Sequence, residues 1–286
     1  MIPGSFDYHR PKKISEAVAL LGDLGAEARV VAGGHSLIPM MKLRLASPEH
    51  LIDLQDISEL KGIREDGDAI VIGATTTEAE MIASRLIAEK CPILREAALQ
   101  IADPQVRNVG TVGGNVANGD PGNDLPAVMQ ALDAVYVLSG KNPREVRARD
   151  FYQGAYVTAL REDEIVTVVR ISVPQRGHGY AYLKQKRKIG DYATAAAAVV
   201  LTLADGKCKT AAIGLTNLGD TPLYAADAGA ALQGSSLDEA AVTAAVKAAE
   251  AIMRPAGDGR GSPEYRTKVG GVMVRRAIAK ARERAQ

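Results

Sequence analysis

The chain has 286 residues, 35 basic and 34 acidic, and its net charge of +1 leaves no electrostatic footprint for nucleic acid or an anionic membrane. Two cysteines without Cys-x-x-Cys spacing and four scattered histidines give no framework for zinc, an iron–sulfur cluster or any other metal on this chain. Tryptophan is absent and phenylalanine occurs twice, so an aliphatic core is expected. With no spanning apolar run and no signal-like start, the chain reads as cytoplasmic.

Ile14, Val18 and Leu21 recur at helical spacing, and Gly25 ends that first helix as a C-terminal cap. Arg29 to Ala32 reads as a short strand and His50 to Leu54 as another. The first strand runs into Ala32-Gly33-Gly34-His35-Ser36, at the strand end where α/β units usually bind ligands. The pattern restarts around 56–60, with a strand over Ala69 to Ile72 behind an Asp66-Gly67 turn. A Thr77-x-x-Glu80 capping box then opens a helix over 78–86, and Pro92 opens another over 92–101.

From Asp103 to Gly122 the pattern reads as one long irregular stretch, which holds a second glycine pair in Thr111-Val112-Gly113-Gly114-Asn115. Asp124 reads as the cap of a helix from Leu125 to Leu132, with Pro126 in its first turn. Pro174 to Gly179 marks a linker. Beyond it Tyr180 to Lys188, Ala193 to Leu203 and Thr210 to Thr216 read as a three-stranded antiparallel meander, the last two joined through Asp205-Gly206. Helices over Leu237–Met253 and Glu264–Arg284 close the chain, the basic residues of the last on a solvated face. The expected division is 1–56, 57–176 and 177–286.

The two glycine pairs carry the chemistry. Glycine leaves no Cβ in the way, so consecutive amide N–H groups can converge on phosphate oxygens. A single Gly-Gly is usually just a turn, but each pair here ends in a small polar residue, Ser36 or Asn115, able to add a side-chain hydrogen bond. Together they read as two halves of a diphosphate cradle, with the backbone amide of His35 rather than its ring as the contact. Lys184, Lys186, Arg187 and Lys188 form a basic run on a predicted strand, so alternate members face opposite sides: either a solvated face or one approaching an anionic cofactor.

With both glycine segments placed, the chain resembles the FAD-binding medium subunits of the molybdenum hydroxylases (the xanthine dehydrogenase family), and among them the aerobic carbon monoxide dehydrogenase type. The likeness spans the whole length. It is carried by Ala32 to Ser36, Thr111 to Asn115, the opening Ile2 to Tyr8, the run Asn118 to Asp124, and Lys186 to Tyr192. The resemblance implies an α+β fold of the vanillyl-alcohol oxidase / p-cresol methylhydroxylase type. In it, two α/β subdomains hold FAD between them and a C-terminal antiparallel sheet with helices follows.

By the same resemblance, Ala32, Gly33, Gly34, His35, Ser36 and Leu37 hold the FAD diphosphate together with Thr111, Val112, Gly113, Gly114 and Asn115. Asp124 matches the family's acidic flavin contact, with a plain helix cap as the alternative. Tyr192 matches a residue set against the isoalloxazine ring, with a half-buried strand tyrosine as the alternative. From the basic run Lys186 is taken as the member that approaches the cofactor, with a solvated face as the alternative, and no acid–base triad is expected. The implied partners are a large molybdoprotein subunit with a Mo–Cu site on molybdopterin cytosine dinucleotide and a small subunit with two [2Fe-2S] clusters. They assemble as a dimer of heterotrimers that oxidises CO to CO2 and reduces a quinone or a membrane b-type cytochrome, through which it meets the inner face of the membrane.

Three other readings stay open on the sequence. The chain can serve a hydroxylase for a purine, nicotine or aldehyde, with NAD as acceptor, because the substrate site lies on another subunit. It can be a free-standing flavoenzyme of the same fold, although no proton donor for a substrate pocket is apparent. It can also be a flavin-free interaction subunit whose glycine loops are structural.

Overall fold

The computed structural model describes residues 2–286 and divides them among three main sheets built from successive stretches of chain. The first stretch holds β1 (Asp7–His9), α1 (Ile14–Leu24), β2 (Ala28–Val31), α2 (Leu37–Lys42) and β3 (His50–Asp53). Its strands are parallel in the order β1-β3-β2. A parallel sheet needs cover on both faces. Ala17 and Leu21 of α1 pack with Ile52 and Leu54 on one side, and Met41 of α2 packs with Val31 and Leu51 on the other. Gly25 adopts φ 54° and returns its N–H to Leu21 O, the cap its sequence position suggests.

The second stretch contains β4 (Ile63–Asp66), β5 (Ala69–Gly73), α3 (Glu78–Ala83), α4 (Arg85–Lys90), α5 (Pro92–Ala98), α6 (Pro104–Arg107), α7 (Val112–Ala117) and α8 (Asp124–Ala131). It continues through β6 (Val135–Ser139), β7 (Arg144–Arg147), α9 (Ala148–Phe151), the small hairpin β8 (Tyr152–Gly154) and β9 (Val157–Thr158), and β10 (Ile165–Ser172). The sheet is antiparallel throughout, β4-β5-β10-β6-β7. Thr77 Oγ1 accepts from Glu80 N while the Glu80 carboxylate accepts from Thr77 N, so the expected capping box is present. The helix expected over 78–86 breaks at Ser84, whose hydroxyl accepts from Ile87 N and starts α4.

Two expectations for this stretch are corrected. Residues 103–122 are not uniformly irregular: Asp103 caps α6, and Thr111 caps α7 by accepting from Gly114 N. The second glycine pair therefore lies in the first turn of a helix. Its low propensity is offset by the cap and by docking, for Val112 N donates to Thr76 O and Gly113 N to Ala74 O. Asp124 does not cap α8. Asn123 occupies that position, and the Asp124 side chain turns inward to another partner.

The third stretch comprises β11 (Gly179–Gln185), β12 (Ala195–Ala204), β13 (Lys207–Thr216), β14 (Leu223–Tyr224), α10 (Ala226–Leu232), α11 (Glu239–Ile252) and α12 (Pro263–Arg284). The sheet has four strands rather than three, because two-residue β14 extends the edge of β13. Strand β11 ends at Gln185, so Lys186 to Tyr192 form a loop instead of continuing a strand. The run of alanines in β12 fits its place between two layers. Ala196 and Ala198 join the core of the second stretch, whereas Ala195, Ala197, Val199 and Leu201 pack toward α10–α12. Helix α8 comes so close to β13 that a Cβ on Gly214 would sit 2.0 Å from Ala127 O, and only glycine fits.

Candidate functional site

The two glycine segments, one in the loop after β2 and the other in the first turn of α7, meet in space. A Cβ built on Gly33 would fall 2.4 Å from Val109 O and 2.9 Å from Gly110 Cα, so the loop after β2 rests on the backbone that leads into Thr111. A side chain at 33 would separate the two. Gly34 is at φ 70°, where the chain turns from β2 toward α2.

Their amides are in opposite states. Those of Gly33, Gly34, His35 and Ser36 donate to no acceptor among the described residues, and Ala32, Gly33 and Gly34 are half-buried while His35 and Ser36 are exposed. On the second segment Val112, Gly113, Gly114 and Asn115 all donate internally, to Thr76 O, Ala74 O, Thr111 Oγ1 and Thr111 O. The expected symmetry of two amide-donating loops is therefore absent. The first segment offers backbone N–H groups, and the second offers the Thr111 hydroxyl proton and the Asn115 carboxamide.

Behind the second segment lies a buried polar cluster. Asn115 Nδ2 donates to Glu78 Oε1 at 2.9 Å, while Glu78 Oε2 and Asn115 Oδ1 are buried without partners. Burial pushes the Glu78 carboxyl up to about 7, helped by the negative charge of Asp124 and opposed by Asn115 and Arg107. Asp124 is 4% exposed and accepts from Tyr182 Oη at 2.5 Å and Lys184 Nζ at 2.8 Å. Burial raises its carboxyl, and Lys184 and Tyr182 pull it back.

Lys186 and Tyr192 lie beyond. Lys186 Nζ donates to Gln100 Oε1 at 2.9 Å, and burial together with the neighbouring Lys184 lowers its ammonium. Tyr192 is a loop residue, 46% exposed, whose ring faces Gly122 and carries the Arg260 guanidinium 5.7 Å from its centroid. Burial and the carboxylate of Asp120 raise its phenol. The Asp124 carboxylate acts electrostatically on Glu78, Lys186 and Tyr192 alike, which makes these side chains one neighbourhood. Glu78, Tyr182 and Gln100 were not singled out from sequence. Lys184 was seen only as part of a basic run, although its i, i+2 spacing with Lys186 was a signal that both face the same way.

The N-terminal part of the chain, residues 4–175, matches the family described as the FAD binding domain in molybdopterin dehydrogenase, and residues 180–281 match the CO dehydrogenase flavoprotein C-terminal domain. The chain belongs to the molybdopterin-dehydrogenase flavoproteins. It is 63% identical, over the full length of both chains, to the carbon monoxide dehydrogenase medium chain of Afipia carboxidovorans. It is 50% identical to that of Hydrogenophaga pseudoflava, covering 97% of each. A crystal structure of the Cu,Mo-CO dehydrogenase contains a chain that superposes with a TM-score of 0.99 at 63% identity, 100% of both chains being covered.

The fold is thus the α+β FAD-binding type of this family, with its own C-terminal domain. The residues present fit the cofactor. A dinucleotide needs N–H donors for its diphosphate, and this flavoprotein offers them in the free amides of Gly33 to Ser36.

Proposed function

We propose that this chain is the flavoprotein subunit of a molybdenum-containing carbon monoxide dehydrogenase. It binds FAD, receives electrons from [2Fe-2S] clusters on a small subunit and delivers them to a quinone-type acceptor or a b-type cytochrome. The supporting observation is the full-length likeness to carbon monoxide dehydrogenase medium chains. Its partners are a large subunit, whose Mo–Cu site on molybdopterin cytosine dinucleotide oxidises CO to CO2, and the small iron–sulfur subunit, assembled as a dimer of heterotrimers. Among the described residues no helix is long and apolar enough to cross a membrane.

Bound FAD supplies the exchange between one-electron and two-electron carriers. The protein binds and orients it. The amides of Ala32 to Leu37 would donate to the diphosphate, Thr111 would add its hydroxyl and Asn115 its carboxamide, while Val112, Gly113 and Gly114 hold the second segment in place through their bonds to Thr76, Ala74 and Thr111. Asp124, fixed by Lys184 and Tyr182, would be the acidic contact of the flavin. Lys186 would add a positive charge, and Tyr192 would lie against the ring. We take 1–56 and 57–176 as the FAD-binding pair and 177–286 as the C-terminal domain, a division that the three main sheets support.

The test is to purify the chain with its partner subunits, measure FAD content, and follow loss of flavin absorbance on adding CO. Stoichiometric FAD bleached by CO supports the reading. A complex that holds FAD but is reduced by a purine, nicotine or an aldehyde and not by CO would assign the chain to another hydroxylase.

A further inference from the structure

Glu78 opens α3, yet its side chain turns inward and is 2% exposed. It shares one hydrogen bond with Asn115, and the remaining oxygen of each group is buried without a partner. Two acceptor oxygens of one hydrogen-bonded pair, each buried without a donor, are unfavourable in a dry site, and one proton shared between them would remove the cost. Placed on Glu78 Oε2, it would give that oxygen a hydrogen to donate to Asn115 Oδ1 and so complete a ring of two hydrogen bonds between carboxyl and carboxamide. That ring uses only one of the two N–H groups of Asn115.

We propose that Glu78 is the positioning residue of the second glycine segment: its neutral carboxyl pairs with Asn115, fixes the carboxamide, and leaves the other Nδ2–H for the cofactor diphosphate. FAD binding is then coupled to protonation of Glu78. The inference rests on the FAD reading above and specifies how the second segment, whose backbone amides are engaged elsewhere, takes part in it.

The surroundings agree. With its carboxyl raised to about 7, Glu78 changes charge within the physiological range. The charged groups that act on it are Arg107 of α6 and Asp124 of α8, the latter paired with Lys184 of β11. The other charges on the helices packed against α3 are engaged: Arg95 of α5 with Ile82 O, Glu96 of α5 with Arg284, Arg85 with Glu89 within α4, and Lys90 of α4 with Glu65. An ionised Glu78 would break the ring with Asn115 and set another negative charge beside an anionic ligand. Affinity for FAD therefore falls as pH rises through the Glu78 titration.

The experiment is an FAD titration of the chain, alone and in the deflavinated complex with its partner subunits, from about pH 6 to about pH 8.5. It is run on the wild type and on Glu78→Gln, with calorimetry in two buffers of different ionisation enthalpy. In the wild type, Kd rises up to about tenfold per pH unit above neutrality, and binding at the alkaline end takes up about one proton per FAD. Glu78→Gln keeps the two-bond pairing without a charge, so its Kd stays near the low-pH wild-type value across the range.

A wild-type Kd independent of pH, with no proton uptake, overturns the proposal, as does a Glu78→Gln variant with the wild-type pH slope. If that variant does not fold, proton uptake by the wild type decides alone. Absence of FAD binding at every pH, even in the complex, overturns the FAD reading along with this inference; binding without pH dependence overturns the coupling only.

Discussion

Lys184 Nζ donates to Asp124 Oδ2 at 2.8 Å, joining β11 to the start of α8 with both side chains almost fully removed from water. A buried pair of this kind is costly to break because the surviving charge has no solvent to fall back on. Lys184→Met is expected to lower stability by about 3 kcal/mol, measured by chemical denaturation at neutral pH. The double variant Asp124→Asn with Lys184→Met should recover much of that loss, because no unpaired charge remains. If the double variant is as unstable as Lys184→Met alone, the packing of the lysine stem and not the ion pair holds this joint.

Gly33 offers a cleaner separation of cofactor binding from folding. Its missing Cβ is what allows the loop after β2 to rest on the Val109 and Gly110 backbone, and the residue is in neither a helix nor a strand. Gly33→Val is expected to abolish flavin binding while circular dichroism and the melting transition stay close to wild type. Gly214→Val is the control: its Cβ would enter the Ala127 carbonyl between α8 and β13, so the fold itself should fail. Equal loss of stability in both variants would make the first glycine loop a purely structural turn.

The comparison of these glycines shows what the sequence disclosed. Gly33-Gly34 and Gly113-Gly114 were visible as a pair of related signals, and the structure does bring their surroundings together. The sequence did not show that Gly113 and Gly114 lie in a helix, because propensity argues against it and the docking of their amides onto residues 74–76 is a long-range contact. Strand β10 went unplaced for a similar reason, since it pairs with the distant β5 and β6, whereas β4, β6 and β7 were missed although β4–β5 and β6–β7 are local hairpins. Glu78 was hidden by its position, as an acidic residue in the first turn of a capped helix ordinarily faces solvent and the helix dipole.

Arg266 was hidden in the same way, among the basic residues of α12 expected on a solvated face. It is 2% exposed, and its guanidinium donates to Thr194 O at 3.1 Å, Ala256 O at 2.6 Å and Asn217 O at 2.5 Å. One side chain thereby ties the residue before β12, the residue after β13 and the segment before α12 together, next to the loop that carries Tyr192. Arg266→Leu should cost about 3 kcal/mol by leaving three carbonyls without donors. Arg266→Lys should recover only part of this, because an ammonium cannot span three acceptors with the planar fork of a guanidinium. Thermal melts of the three proteins check the ranking, and a lysine variant equal to wild type would contradict it.

The raised carboxyl of Glu78 also makes stability depend on pH in a defined direction. An acid with a folded-state value of about 7 against an ordinary value of 4.5 binds its proton more tightly in the native chain. Its favourable contribution is complete below about pH 4.5, declines as pH rises toward 7, and is gone above that. Most carboxylates held by cations, such as Glu164 beside Arg144, act in the opposite direction at lower pH, so the Glu78 effect is read as a difference between proteins. The stability of the wild type minus that of Glu78→Gln should fall by about 3 kcal/mol between pH 4.5 and pH 7.5 and then level off. Urea denaturation of both proteins across that range measures it. A constant difference would mean that Glu78 ionises normally, with solvent or a cation satisfying Oε2 in the folded chain.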